Sequence, residues 1–272
     1  MSIRFGCSGW SYDGWVGAFY PKNAQPSDYL KLYGKIFNCV EIDSTFYRVP
    51  STMMVKQWYE TTPKDFLFFP KLPKRITHDM RLDNVASYLD YFTRTMSLFR
   101  DKAGPVVIQL PPSFKFESHS SQLSSFLDCL TGDHRYAVEF RHSSWFIPEV
   151  KRLLESKNVC QVWSINQYLT TPSTVTSDFV YLRFIGDRKI TEFGKIQRDQ
   201  TEIMLQWKKN LADVEGSVKQ RFVLFNNHFA GFGPGSVNEF RRLMGLFELD
   251  WSNLDGDSVQ RTMFDFSGSS QN

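Results

Sequence analysis

A chain of 272 residues with 32 Lys and Arg against 29 Asp and Glu carries a formal charge of +3, too weak a balance to signal nucleic acid by itself. Its 42% hydrophobic content, with 25 Phe, 11 Tyr and 7 Trp, supplies ample core and excludes collagen, coiled coil and disordered polymer. The length fits either two domains of about 150 residues or one α/β barrel of about 250.

Short apolar runs, of the sort buried on both faces of a parallel sheet, predict strands at 3–7, 39–42, 66–69, 106–110, 136–140, 159–164, 179–184 and 222–225. Between them, helical spacing is expected at 27–36, 53–61, 85–100, 121–130, 148–156, 197–211 and 237–247. Pro26-Ser27-Asp28 and Pro148-Glu149 read as helix starts. Eight units of about 34 residues match a (β/α)8 TIM-like barrel, here a single domain over residues 1–272. Pro70 strains that reading, because a central strand cannot spare a ladder donor, unless the third strand ends at Phe69. The loop near 70–84 is also long. Residues 267–272 read as a frayed polar end.

Runs such as 66–69 and 106–108 fall far below the roughly 18 residues of a membrane helix, so a soluble chain with no membrane partner is expected. The first residues show no secretory pattern. Cys7, Cys39, Cys129 and Cys160 lie far apart without a C-x-x-C, and buried reduced thiols in a cytoplasmic protein fit better than zinc or disulfides.

In a barrel the chemistry sits on the loops after the strands. Those positions hold Gly6, Ser8, Gly9 and Trp10 after the first strand, and Glu41, Asp43, Ser44, Thr45 and Tyr47 after the second. Lys71, Thr77 and His78 follow the third, Gln109 the fourth, and Glu139, Arg141, His142 and Trp145 the fifth. Arg183, Gly186 and Arg188 follow the seventh, and Asn226, Asn227 and His228 the eighth. Each has a bland reading. Glu41 and Glu139 in apolar text need cationic partners, and a structural ion-pair network with Lys71, Arg141 and Arg183 would satisfy them without catalysis. The histidines suit capping, the tryptophans suit packing over the rim, and Asn226-Asn227 suits a turn. That account does not predict so many polar groups converging on one end.

The blocks Cys7-Ser8-Gly9-Trp10-Ser11-Tyr12 and Val40-Glu41-Ile42-Asp43-Ser44-Thr45-Phe46-Tyr47-Arg48-Val49-Pro50 resemble the YecE-like family, a domain of unknown function (72). So do Gln109-Leu110-Pro111-Pro112-Ser113-Phe114, the run from Val138 to Trp145, Tyr181 to Gly186, and Phe225-Asn226-Asn227, in the family's order over about residues 3–246. The resemblance implies a TIM-like barrel with these blocks lining the C-terminal mouth, and no settled activity. Some members have been thought similar to metal-dependent barrel nucleases, an analogy of fold and site. The chain departs from the pattern at Ser164 and Asn166, where an Asp is expected, and at Ile185, where His is common.

Five histidines without H-x-x-E-H or H-E-x-x-H spacing give thin support for a multinuclear metal centre. No cofactor is expected. A single divalent ion on Glu41 and Glu139 is the one metal site the residues allow. The rim suits a small anionic ligand better, a phosphorylated small molecule or phosphodiester, turned over by a hydrolase or a lyase/isomerase. Glu41 or Glu139 would act as general base and Lys71 as acid or electrostatic stabiliser. Trp10, Gln109, Arg141, His142, Arg183, Gly186, Arg188, Asn226 and Asn227 would bind substrate. Glycines and Pro234 in 231–236, before a helix, read with Arg183 and Arg188 as an anion cradle. Two alternatives remain: a nucleic-acid-binding module using Lys64, Lys71, Lys74 and Arg75 with Trp10, Tyr12 and Trp15, and a barrel that binds a ligand without turnover.

Overall fold

The computed structural model describes residues 2–166 and 169–254, so the polar end at 267–272 lies outside the described residues. Strands and helices alternate: β1 (Ser2–Ser8), α1 (Tyr29–Ile36), β2 (Cys39–Ile42), α2 (Thr52–Thr61), β3 (Leu67–Pro70), α3 (Ala86–Met96) and β4 (Val106–Gln109). They continue as α4 (Phe116–Asp128), β5 (Tyr136–Glu139), α5 (Pro148–Ser156), β6 (Cys160–Gln161), β7 (Trp163–Asn166) and β8 (Phe179–Gly186). The last are α6 (Thr201–Asp213), β9 (Gln220–Phe225), α7 (Asn227–Ala230) and α8 (Gly233–Leu243). Among the described residues no helix is long and apolar enough to cross a membrane.

Every strand pair is parallel, and neighbours in space are neighbours in sequence, with β1 returning to pair with β9. Two ladders carry this order, β3-β2-β1-β9-β8-β7 and β4-β5-β6. They meet at both ends. β6 and β7 are halves of one run broken at Val162, whose N–H still donates to the Val138 carbonyl of β5 at 2.8 Å. At the other junction only two isolated bridges are formed, Phe68 to Ala103 and Lys71 to Val107, and the Leu72 N–H donates to the Val107 carbonyl at 2.8 Å. Even-numbered residues of β3 point their backbone groups at β4, so the N–H that Pro70 lacks is missing where the ladder is already thin. The proline is inside the strand, paired with Ile42, and marks a seam in a TIM-like α/β ring.

Alternation with period two sorts the strand side chains into two cores. Cys39, Phe69, Val107, Ala137, Cys160, Val162, Phe179, Tyr181, Phe222 and Leu224 form a cluster of their own inside the ring. Their sequence neighbours, such as Val40, Phe68, Val106, Val138 and Phe225, join the larger core beneath the helices.

The helix boundaries show where local signals decide. α5 begins at Pro148 with Glu149 in its first turn, as the sequence predicts. Ser51 caps α2, accepting from the Met54 N–H at 3.2 Å. The expected helix 85–100 ends at Met96 and tightens into a 3-10 turn over 97–102, with Arg100 at φ 49. α4 starts at Phe116 rather than 121, because Phe116 packs edge-on against Trp145 at 5.5 Å and outweighs its weak local propensity. α8 starts at Gly233, four residues before the expected 237, and α7 has no counterpart in the sequence pattern.

Candidate functional site

Two residues beyond the apolar plug, the inward position of each strand becomes polar. Cys39 gives way to Glu41, Phe69 to Lys71, Val107 to Gln109 and Ala137 to Glu139, while Val162 leads to Ser164, Tyr181 to Arg183 and Leu224 to Asn226. The strand period thus delivers the whole set to one rim.

Arg183 is the centre. One terminal nitrogen donates to Glu139 Oε2 and the other to Glu41 Oε1 at 2.5 Å, and both carboxylates are fully buried. Arg141 Nε donates to Glu139 Oε1 at 2.8 Å and its Nη2 to Gln109 Oε1 at 3.1 Å. Lys71 Nζ pairs with Asp43 and lies 3.4 Å from Glu41 Oε1, and the Tyr181 hydroxyl donates to Glu41 Oε2 at 3.0 Å. Thr45 Oγ1 locks the Lys71 backbone, accepting from its N–H at 2.8 Å and donating to its carbonyl at 2.7 Å.

Burial opposes charge throughout this network, and the pairing overcomes it. Burial alone would raise the Glu139 carboxyl, yet Arg183, Arg141 and Lys71 hold it below the usual range. Burial likewise works against Asp43, and Lys71 and Arg183 bring it down. The Arg183 guanidinium, disfavoured by burial, is driven further toward its charged form by Glu139, Glu41 and Asp43. His78 is lowered by burial and then by Arg141 and Lys74.

Above this floor opens a cavity of about 690 Å³. Of the candidate residues, Lys71, Gln109, Arg141 and Arg183 line it from the floor, and Gly186, Arg188, Asn226 and Asn227 from the loops after β8 and β9. Glu41 and Glu139 do not reach it and act from beneath, as partners of the cations. A metal ion bridging those two carboxylates would have to occupy the place of the Arg183 guanidinium. Among the described residues no group of three His, Cys, Asp or Glu could hold a metal.

Three further expectations are corrected. Trp10 packs edge-on against Trp58 at 5.2 Å and does not line the cavity. His142 caps the 3-10 turn 143–145, its Nδ1 accepting from the Ser144 N–H at 3.2 Å. The helix start at 231–236 is not a cradle: the Gly233 N–H donates to Asn227 Oδ1 at 2.9 Å, Gly233, Pro234 and Ser236 are buried, and none lines the cavity. Arg183 is equally unsuited to clamp a phosphate, since both its terminal nitrogens are committed to carboxylates.

The residues of the expected basic aromatic rim divide between core and surface, with Lys64, Lys74 and Arg75 exposed. Trp15 is fully buried, its Nε1 donating to Asn227 Oδ1 at 3.0 Å, Lys74 pairs with Asp79, and Arg75 stacks over Tyr88. The four cysteines are free thiols, three buried and Cys129 exposed.

The cavity adds residues that were not among the candidates. Asp43 follows the second strand two residues after Glu41, and His228 directly follows the Asn226-Asn227 pair. Tyr12 and Tyr47 stand in the family-like blocks and Asn166 at a departure from the family pattern, whereas Phe193 comes from the irregular stretch before α6, which has no periodicity to flag it.

A model of the family described as "Protein of unknown function DUF72" matches residues 4–255. The chain belongs to the DUF72 family. The UPF0759 protein YunF of Bacillus subtilis is 24% identical over 93% of this chain and 97% of its own length. The UPF0759 protein YecE of Escherichia coli K12 is 33% identical over 53% of this chain and 50% of its own. A crystal structure of a DUF72 family protein from Thermotoga maritima superposes with a TM-score of 0.76 at 27% identity, covering 90% of this chain and all of that one. A second DUF72 structure, from Enterococcus faecalis, shares the fold at 18% identity, with a TM-score of 0.73 over 90% of this chain and 96% of that one. This DUF72 chain therefore shares its TIM-like architecture with solved relatives.

Proposed function

We propose that the mouth cavity binds a phosphorylated small molecule and that the chain turns it over as a hydrolase or a lyase/isomerase. The observation that carries this reading is a charge imbalance. Glu41, Asp43 and Glu139 are offset by Lys71, Arg141 and Arg183 within one network, whereas Arg188, on the cavity wall, makes no ion pair among the described residues. The cavity thus presents one uncancelled cation together with the half-buried Arg141 and the amides of Gln109 and Asn226, which suits an anion bearing hydroxyls or carbonyls. Chemistry at the ligand falls to groups that reach the cavity. Asp43 is held ionised and Lys71 stands against it, so these two, rather than Glu139, are the acid–base pair.

Thermal unfolding of the wild type and Arg188→Ala with a panel of phosphorylated small molecules and their dephosphorylated counterparts tests the reading. A ligand that binds only the folded state stabilises by about 2.7 kcal/mol at a hundredfold excess over Kd. The expected result is a shift for phosphorylated compounds that Arg188→Ala abolishes. Equal shifts in both proteins, or larger shifts for the dephosphorylated compounds, would remove the anionic ligand. Binding without turnover would leave a ligand-binding barrel.

A further inference from the structure

His228 is the one histidine on the cavity wall. Asn226 sets its place: the Asn226 side chain caps α7 by accepting from the His228 N–H at 3.0 Å, so the imidazole leaves the first residues of a fixed turn. Its Nδ1 lies 2.9 Å from the Ile190 carbonyl, and a carbonyl only accepts, so Nδ1 carries the hydrogen. Phe193 meets the ring edge-on at 5.1 Å and holds its plane. The second nitrogen, Nε2, has no hydrogen-bond partner among the described residues, and it is not among their buried unpartnered atoms, so it is open. The other histidines differ. His119 is buried with both nitrogens in hydrogen-bond contact, and His78, His134 and His142 do not line the cavity.

Resting on the reading of the cavity as a phosphorylated-ligand site, we propose that His228 Nε2 is the acceptor that recognises a hydroxyl of that ligand, with the anionic group anchored at Arg188. Four cations on the cavity wall, Lys71, Arg141, Arg183 and Arg188, accept nothing, and the carboxylate beside them, Asp43, is already paired with Lys71. With Nδ1 held by Ile190, the neutral form of the ring presents Nε2 to the cavity as an acceptor without a partner among the described residues, which selects a polyol phosphate over bare phosphate. The same contact also ties the segment before α6 to α7, which is a structural role to be separated from recognition.

His228→Asn separates them, because the asparagine amide donates where Nδ1 did while nothing replaces Nε2. Affinities for glycerol phosphate and inorganic phosphate are measured on the wild type and this variant, and the tautomer is read from imidazole ¹⁵N shifts. The wild type is expected to prefer glycerol phosphate at least tenfold and His228→Asn to lose that preference while keeping its phosphate affinity within about threefold. The His228 spectrum is expected to show hydrogen on Nδ1 and a bare Nε2. An unchanged preference in the variant, or hydrogen on Nε2, overturns the assignment. If neither compound binds the wild type, recognition at His228 falls together with the anionic-ligand reading. A wild type that binds both compounds equally would overturn the assignment of His228 alone and leave the anionic-ligand reading standing.

Discussion

Replacing Glu139 by glutamine removes one charge and no volume from the centre of the mouth. In the wild type both oxygens of this fully buried carboxylate accept from arginines, Oε1 from Arg141 and Oε2 from Arg183. An amide offers one acceptor and turns two N–H donors toward a donor, while Arg183 keeps only Glu41 as counter-ion. Breaking a buried pair by removing one partner costs about 3–5 kcal/mol. Because the glutamine oxygen retains one hydrogen bond, the lower end, about 3 kcal/mol, is expected, a fall in Tm of about 6–12 °C for a chain of this size. The pH dependence has a definite sign. Glu139 titrates below its ordinary value of 4.5 in the folded state, so its contribution is fully present above that value and fades as pH falls through the folded one. Glu139→Gln should therefore be far less stable at neutral pH, and the gap to the wild type should narrow at acid pH, below 4.5. Denaturant unfolding at both pH values measures this. A loss below about 1 kcal/mol at pH 7, or one undiminished by acid, would refute the ion-pair account of the mouth.

Other substitutions test separate parts of the structure. Gly186 has φ +74, and a Cβ there would lie 2.3 Å from the His228 carbonyl oxygen, so Gly186→Ala should cost about 2–4 kcal/mol in denaturant unfolding; a neutral result would displace α7 from the cavity wall. Ser164 is fully buried and its hydroxyl has no partner among the described residues, so Ser164→Ala should leave stability unchanged or raise it by about 1 kcal/mol, read as Tm, and a marked loss would reveal a partner for that oxygen.

The barrel was legible because its signal is periodic: short apolar runs at regular spacing, with polar residues two positions past each run. That same offset made Lys71, Gln109, Arg141, Arg183 and Asn226 readable as one rim. Roles within the rim were not readable, since strand spacing says which face a side chain occupies and nothing about what it touches. Glu41 and Glu139 look catalytic in sequence, and in the structure their carboxylates turn onto Arg183 beneath the cavity, although Lys71, Gln109 and Arg183 from the same inward layer line it. The glycines before α8 look like an anion cradle, and long-range packing by Asn227 takes the N–H they expose. Phe193 and the Nδ1 contact of His228 depend on the path of an irregular segment, which no local pattern specifies.

The central claim, that the mouth holds a small anion beside Arg188, is tested most directly by crystals grown with selenate, whose anomalous scattering locates the anion without assumption. The account predicts a peak inside the cavity within hydrogen-bonding distance of Arg188, on the same side as His228 and Asn226. A cavity without anomalous density at saturating selenate, or a peak confined to the outer surface of the helices, would contradict it.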